Sequence, residues 1–393
     1  MNYEFSERVK PLAPSAIREM MKYSSLPGFV SLAIGSPAPD AFPVKEIAEI
    51  SDRILREQPI DALQYSVTEG YVPLRNYLKE YMHKKHNTGT DDDSLMITSG
   101  AQQVMELATK VMCNEGDTVI CESPSFIGSL NAFRSYKVNL AGVPMESDGM
   151  DIDALENTLK TAHNPKLIYI IANFQNPTGI TTSLEKRKAI YDLAKKYNVM
   201  IVEDNPYGDI RFKGENIPNI KSLDDDGRVI YAGTFSKVLA PGMRVGYCIA
   251  PSEVVQKMVV CKQVSDVHTQ IWSQMIAYEF MTKYDYEAHL EKIRAIYRKK
   301  AKYAMGLIDA ELGSFVKYNP IEGGLFLWLD LPDRVDSTDF FKAALEQKVA
   351  VVQGSTFAVG NNSINSIRIN YSAPADDNLT TAIKVLGKVA KQF

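Results

Sequence analysis

The chain has 393 residues, 45% of them hydrophobic, and a formal net charge of -4 at pH 7. This length can bury a large core and allows two or three domains. The acidic balance argues against a nucleic-acid partner, which would call for a basic patch, and no apolar run approaches the roughly 20 residues of a membrane span.

The first segment with a chemical signature is a strand that turns directly into a helix. The pattern of residues 94–98 predicts a buried strand, and the Ser-Gly-Ala-Gln-Gln sequence of residues 99–103 leads into a helix with one apolar face. Free backbone N–H groups and the helix dipole favour an anion at such a helix start, so this turn can hold a phosphate. An ordinary strand-to-helix turn explains the pattern equally well.

A second predicted strand, residues 166–171, leads into the sequence Asn-Phe-Gln-Asn-Pro-Thr-Gly. Its turn-forming pairs fit a plain loop, but the side-chain amide of Asn176 could donate a hydrogen bond to an anionic oxygen. Thr182 and Glu185 then predict a capping box for the helix that follows.

A third predicted strand, residues 199–202, ends in Glu-Asp-Asn-Pro-Tyr-Gly-Asp, where open α/β sheets bind ligands. A carboxylate there can pair with a pyridinium nitrogen and keep it protonated. We choose Asp204 over Asp209 because Asp204 lies at the strand exit. Tyr207 could form a hydrogen bond with a phenolic oxygen on the same pyridinium ring.

The most informative segment is residues 231–244, in which a lysine follows a predicted strand and an arginine comes one short loop later. Small hydroxyl residues before Lys237 can hold a phosphate, and an amine fixed beside that phosphate can form a Schiff base with an aldehyde cofactor. Pyridoxal phosphate fits this description. A Ser-Lys pair alone is more often a solvated surface lysine, but the ordered set of motifs favours the cofactor.

Three further patterns predict the overall fold and a second arginine site. Strand and helix patterns alternate from about residue 95 to 250, which is typical of βαβ units and a mostly parallel sheet. Residues 276–307 predict one long helix. In the last predicted strand, residues 366–372, Arg368 faces away from Ile367 and Ile369 and can bind a carboxylate as a fork, although an outward arginine on a surface strand fits as well.

Together these motifs resemble the class I and II aminotransferases, fold-type I enzymes that depend on pyridoxal phosphate, over essentially the whole chain. Residues 15–19, 35–39, 63–70 and 322–328 are similar to blocks of the 2-aminoadipate and kynurenine aminotransferase branch. The resemblance implies an α/β fold with a large domain, whose mostly parallel seven-stranded sheet is sandwiched by helices, and a smaller α+β domain. The large domain would span residues 66–305, and segments 1–65 and 306–393 would form the small one.

The resemblance also implies residue roles. Lys237 would be the Schiff-base lysine, and Asp204 would bind the pyridine nitrogen. Asn176 and Tyr207 would hold the ring hydroxyl oxygen, and Arg368, assisted by Asn176, would take the substrate α-carboxylate.

The remaining matches concern residues that would bind the cofactor phosphate, stack on the cofactor ring or lie near the substrate. The phosphate would be gripped by Gly100, Ala101, Gln102, Thr234, Ser236 and Arg244. Phe126 matches the aromatic residue that stacks on the cofactor. Tyr65 matches a tyrosine donated across a dimer interface to the shared active site, which implies a homodimer. Ser15, Arg18 and Gly35 match a segment that lies over the substrate.

Three positions depart from the branch. Phe126 stands where tyrosine is usual, Ser36 where leucine is common, and Gln353 where proline is frequent. Stacking needs only a ring, so Phe126 leaves cofactor binding intact and removes a hydroxyl from the pocket. Ser36 lies beside the expected specificity segment, and its change bears on the identity of the amino donor.

The expected reaction is transamination in two half-reactions, from an L-amino acid to a 2-oxoacid, with 2-oxoglutarate as the favoured acceptor. Lys237 would serve as the general base. A β-lyase or a cyclopropane-carboxylate synthase would use the same residues and stays open. A regulatory module is the more distant alternative, because this branch also occurs behind winged-helix domains; we expect none here, since the resemblance begins by about residue 15. Four cysteines without metal-ligand spacing favour a cytoplasmic protein without a metal.

Overall fold

The computed structural model describes residues 2–10, 12, 20, 23, 26–360 and 364–393. The strands are β1 Val30–Ser31, β2 Asp93–Thr98, β3 Thr118–Ser123, β4 Asn139–Glu146, β5 Gly149–Met150, β6 Pro165–Ile170, β7 Met200–Asp204, β8 Val229–Thr234, β9 Gly246–Pro251, β10 Phe326–Asp330, β11 Val349–Ala350, β12 Val352–Gln353 and β13 Ser366–Asn370. The described α-helices are α1 Val44–Glu57, α2 Pro59–Leu63, α3 Val72–His86, α4 Ala101–Met112, α5 Ile127–Arg134, α6 Ile152–Thr161, α7 Leu184–Tyr197, α8 Ser252–Gln263, α9 Ile271–Lys283, α10 Tyr286–Glu311, α11 Ser337–Glu346 and α12 Asp376–Ala390.

A large sheet with the order β2-β9-β8-β7-β6-β3-β4-β5 forms the centre of the fold. Strands β4, β3, β6, β7 and β8 pair in parallel, while β9 runs antiparallel to both of its neighbours. The expected α/β fold with a mostly parallel sheet is confirmed. The expected number of seven strands is wrong, because the two-residue strand β5 folds back on β4 as an eighth.

Alternate residues of the central strands supply the two faces of this sheet. Leu167 and Tyr169 of β6 join one core cluster, which includes the apolar face of α4, and Ile168 and Ile170 join another, which includes α6 and α7. A strand covered on both faces must be apolar at nearly every position, which explains the continuous hydrophobic runs in the sequence. Strands β2, β3, β4, β6, β7 and β8 run in the same direction, since β2 and β8 are both antiparallel to β9. The carboxyl ends of these six strands therefore lie at one edge of the sheet.

Two smaller sheets join the chain ends. Strand β1 pairs in parallel with β11, so that Val30 lies opposite Val349. Strands β10 and β12 flank β13 in an antiparallel sheet that carries Arg368. Across the described ranges, no helix has the length and apolar character needed to cross a membrane.

Two local predictions need correction. The single helix expected over residues 276–307 is two helices, α9 and α10, because the Asp285 side chain accepts a hydrogen bond from the N–H of Ala288 and caps a new helix. The cap of α7 is Ser183 and not Thr182. The N–H of Thr182 still donates to the carbonyl oxygen of Ala172, so the helix begins one residue later.

Candidate active site

A cavity of about 280 Å³ opens at the carboxyl ends of the sheet strands. It is lined by twelve residues singled out from the sequence: Gly35, Ala101, Gln102, Phe126, Asn176, Asp204, Tyr207, Thr234, Ser236, Lys237, Arg244 and Arg368. These side chains come from segments more than 300 residues apart. The large sheet and the terminal segments therefore meet at this site.

Lys237 follows β8 and lies inside the cavity, where its Nζ donates a hydrogen bond to the backbone carbonyl oxygen of Gly35 at 2.9 Å. Desolvation, together with the positive charges of Arg244 and Arg368, lowers the pKa of Lys237 to about 8, and the charge of Asp204 limits this decrease. Near neutral pH, an appreciable fraction of this amine is therefore unprotonated and able to act as a nucleophile or base.

Asp204 ends strand β7 and is only 5% exposed. Its Oδ2 accepts a hydrogen bond from the hydroxyl of Tyr169 at 2.9 Å. No described residue donates to its Oδ1. Burial raises the pKa of Asp204, and the Tyr169 hydrogen bond and the charge of Lys237 limit the rise, which brings the pKa to about 7. A buried carboxylate with one free oxygen requires a further partner, and a protonated ring nitrogen would be one.

Arg368 is fully buried in β13, so the alternative of an outward surface arginine is wrong. Its Nη1 donates to Oδ1 of Asn176 at 2.7 Å and its Nη2 to the backbone oxygen of Ala33 at 2.5 Å. Among the described residues Nε has no partner, and burial lowers the pKa of the guanidinium. The Cζ atom lies 4.1 Å from the ring centroid of Phe326 and 4.9 Å from that of Phe357. These two rings fix the plane of the guanidinium.

The opposite end of the cavity gathers positive charge and hydrogen-bond donors. Helix α4 begins after Gly100 without a side-chain cap. Gly100 has a φ of 79°, and a Cβ there would lie 2.4 Å from Nη2 of Arg244, so the arginine fills the space that a side chain would take. The hydroxyls of Thr234 and Ser236 line the same cavity and hydrogen-bond each other. An uncapped helix start beside an arginine is suited to a phosphate.

Two aromatic residues complete the cavity wall. Phe126 precedes α5 and is partly buried, and Tyr207 is buried with its ring edge-to-face against Phe326 at 6.1 Å. Burial raises the pKa of the Tyr207 hydroxyl. The phenol therefore remains protonated and can donate a hydrogen bond.

Four sequence-predicted site residues are not among those that line the cavity. One is Gly100, which lies at its edge beside Arg244. Tyr65 is 82% exposed and does not line the cavity. Ser15 and Arg18 lie outside the described residues. Within the described part of the chain, no group of three or more His, Cys, Asp or Glu side chains is arranged to hold a metal.

Sequence reasoning missed two buried polar residues beside the cavity, Tyr169 and Glu122. The carboxylate of Glu122 accepts hydrogen bonds at Oε2 from the N–H of Ile171 and from Nε2 of Gln175. Burial raises the pKa of Glu122 to about 8, and the charge of Asp204 adds to the shift. For Tyr169, the available signal was a polar residue within the apolar run of residues 167–171, but nothing in the sequence indicates its partner.

Taken together, an unpartnered Asp204 oxygen, an uncapped helix start and a buried lysine fit pyridoxal 5'-phosphate. Comparisons with known proteins agree with this geometry. The profile of the family described as aminotransferase class I and II matches residues 27–386. The chain therefore belongs to that family.

Individual relatives lie in the expected branch. The 2-aminoadipate transaminase of Thermus thermophilus is 37% identical over 98% of this chain and 96% of its own length. Aromatic-amino-acid aminotransferase 1 of Thermococcus litoralis is 36% identical over 100% of this chain and 95% of its own. The solved structure of Pyrococcus horikoshii kynurenine aminotransferase in complex with PMP superposes with a TM-score of 0.94 at 34% identity, covering 99% of this chain and 97% of that one.

The chain is thus an enzyme, a pyridoxal-phosphate-dependent aminotransferase of the branch that contains the 2-aminoadipate and kynurenine enzymes. It transfers an amino group between an amino acid and a 2-oxoacid. The resemblance inferred from the motifs is confirmed.

Proposed function

We propose that the enzyme moves the amino group of an L-amino acid to 2-oxoglutarate in two half-reactions that use one carboxylate site in turn. The observation that carries this proposal is the presence of Lys237, Asp204 and Arg368 in a single cavity. Donor and acceptor both carry a carboxylate, and the cavity offers one fully buried arginine for it. The first product must therefore leave before the second substrate binds, which gives ping-pong kinetics.

The cofactor would be held at four points. The start of α4 with Thr234, Ser236 and Arg244 would hold the phosphate, Phe126 would stack on the ring, and Asp204 would pair with its nitrogen. Asn176 and Tyr207 would hold the ring hydroxyl oxygen. When bound, the cofactor supplies an aldehyde that captures the amino group and a ring that accepts electrons from Cα.

Lys237 would bind the cofactor covalently and then act as the base. Its pKa of about 8 leaves Nζ partly unprotonated near neutral pH, so it can take the proton from Cα of the substrate. Arg368 would orient the substrate by its carboxylate, and the Phe326 and Phe357 rings prevent the guanidinium from turning away. Gly35 would lie over the bound substrate, together with Ser15 and Arg18.

For the donor, we propose an L-amino acid with an acidic or aromatic side chain, because the names of the relatives include both classes. The test is the visible absorbance of the purified holoenzyme during titration with 2-aminoadipate, glutamate, tyrosine, phenylalanine and kynurenine. We expect the band of the lysine-bound cofactor to disappear with the true donor and return with 2-oxoglutarate. Release of ammonia and pyruvate without recovery of the band would instead identify a lyase.

We also propose a homodimer in which Tyr65 enters the partner's active site. Tyr65 is surrounded in sequence by other exposed apolar side chains, at Val44, Ile60, Leu63, Val67 and Val72. Exposed apolar groups at this density are typical of protein interfaces. Co-expression of Lys237→Ala and Tyr65→Ala chains should restore activity that neither variant has alone, and failure to do so in a proven mixed dimer would contradict a shared site.

The domain division at residues 65 and 305 belongs to the same proposal. All strands of the large sheet lie between residues 93 and 251, and the pairing of β1 with β11 joins the two terminal segments. We also propose that the enzyme is cytoplasmic, which is supported by four free cysteines.

A further inference from the structure

Tyr169 is the one described residue whose side chain donates a hydrogen bond to the Asp204 carboxylate. It lies in β6 opposite Val202 of β7, so Asp204, two residues further along, presents its side chain to the same face. The Oη to Oδ2 distance is 2.9 Å, and Tyr169 is fully buried. Its ring packs edge-to-face against Phe133 with centroids 5.2 Å apart. The hydroxyl is therefore held in one direction.

This tyrosine lies behind the cavity wall and does not line it. It reaches the cavity only through Asp204, whose other oxygen has no described partner. No lysine or arginine forms an ion pair with Asp204 within the described ranges, although the charge of Lys237 acts on it from a greater distance. Among the residues that the structure describes, the Tyr169 hydroxyl is thus the one group in direct contact with Asp204 that stabilises a negative charge there.

The other titratable groups around Asp204 do not replace this hydrogen bond. Glu122 is buried without a cation, and its pKa of about 8 keeps it largely neutral at pH 7. The Tyr207 phenol has a pKa raised by burial and remains protonated. Of the described groups that act on the Asp204 carboxyl, only Tyr169 and Lys237 favour its charged form.

We propose that Tyr169 is a positioning residue that keeps Asp204 ionised and its Oδ1 free, so that a proton shared with the cofactor's ring nitrogen stays on the nitrogen. This inference rests on the proposed role of Asp204 and adds a residue that acts through it. Without the hydroxyl, the buried carboxyl would hold a proton more strongly, and the shared proton would move toward the oxygen. The result would be a weaker ion pair between Asp204 and the ring nitrogen.

The test uses holoenzyme loaded with pyridoxal phosphate labelled with ¹⁵N at the ring nitrogen. In Tyr169→Phe, we expect the ¹⁵N resonance to shift toward the unprotonated value, and we expect the dissociation constant of the cofactor, measured by absorbance titration of the apoprotein, to rise about tenfold, as for the loss of one hydrogen bond to a charge. Tyr247→Phe is the matched control, since that buried hydroxyl contacts the sulfur of Met82. It should leave both measurements unchanged.

A folded Tyr169→Phe protein with the resonance and dissociation constant of the unmodified enzyme would overturn the inference. Asp204→Asn separates this result from failure of the underlying proposal. If Asp204→Asn also leaves the ¹⁵N resonance unchanged, the role of Asp204 is wrong; if it shifts the resonance while Tyr169→Phe does not, only the role of Tyr169 is wrong. Should Tyr169→Phe fail to fold, 3-fluorotyrosine at position 169 preserves the shape, strengthens the donor and should shift the resonance the opposite way; an unchanged resonance would refute the inference.

Discussion

The Nζ atom of Lys237 donates a hydrogen bond to the backbone carbonyl oxygen of Gly35, 202 residues earlier in the chain, at 2.9 Å. Arg368 makes a similar contact with the carbonyl oxygen of Ala33. Two cations assigned to the chemistry are therefore already partnered by one short backbone segment. Covalent binding of the cofactor has to replace the Lys237 contact, and the substrate carboxylate has to compete with the Arg368 contact. Each apparent affinity is therefore lowered by the free energy needed to break the contact concerned.

The low pKa of Lys237 predicts how cofactor capture depends on pH. An amine with a pKa of about 8 goes from about one tenth to about nine tenths unprotonated between pH 7 and pH 9, so the rate of cofactor binding to the apoprotein should rise about tenfold and level off. Stopped-flow absorbance would measure this rate. A rise that continues without a plateau to pH 10 would show an ordinary solvated lysine. Arg368→Gln removes one of the charges that lower this pKa and should move the plateau to higher pH.

Substitution of Arg368 should slow the reaction of substrates that carry a carboxylate and leave the reaction of amines without one nearly unchanged. In Arg368→Gln, kcat/KM for amino acids should fall about 100-fold or more, because a buried charge partner is lost. The slow reaction of a simple amine without a carboxylate should change little. Arg298→Gln, at an arginine whose side chain is half exposed, is the control and should have no effect. Equal losses for the amino acid and the amine would contradict carboxylate recognition.

Gly100 and Gly116 form a matched pair for the phosphate site. Both have positive φ angles, 79° and 88°, so alanine introduces similar backbone strain at each. A Cβ at position 100 would collide with Arg244, whereas nothing lies within 4 Å of a Cβ at position 116. Absorbance titration should show about tenfold weaker cofactor binding for Gly100→Ala, through a displaced charged donor, and unchanged binding for Gly116→Ala. Similar binding by both variants would exclude Arg244 as a phosphate ligand.

Lys221 predicts a large stability effect away from the site. Its Nζ contacts Asp93 and Asp224 at 2.7 and 2.8 Å, and all three side chains are buried. Lys221→Met would leave two buried carboxylates without their cation and should lower the free energy of unfolding by about 3–5 kcal/mol. Lys195→Met breaks a pair with Asp225 that is largely exposed and should cost less than about 1 kcal/mol. Urea denaturation of both variants measures the difference.

The elements that sequence patterns predicted well are those in which burial alone sets the pattern. The strands expected at residues 94–98, 166–171 and 199–202 lie within two residues of β2, β6 and β7. The break between α9 and α10 was missed because both flanks continue a helical pattern, and only the cap at Asp285 separates them.

Site residues could be predicted from the sequence where the chemistry of the side chain suits a particular ligand group. Examples are Lys237, which suits an aldehyde, and Arg368, which suits a carboxylate. Tyr169 could not be predicted, since its role depends on a contact with Asp204, 35 residues away in the chain. The contact requires the register between two neighbouring strands, which no local pattern specifies. The contacts of the carbonyl oxygens of Ala33 and Gly35 could not be predicted either, because every residue has a backbone carbonyl group and the residue type does not show which one is used.

Gly246, the first residue of β9, leaves no space between the large sheet and the turn before α4. A Cβ there would lie 2.6 Å from the carbonyl carbon of Gly100 and 2.7 Å from the nitrogen of Ala101. The turn thus rests on a strand that is hydrogen-bonded on both sides, by β2 and β8. It cannot move toward the sheet without distorting it, so the wall of the cavity on this side has a fixed position.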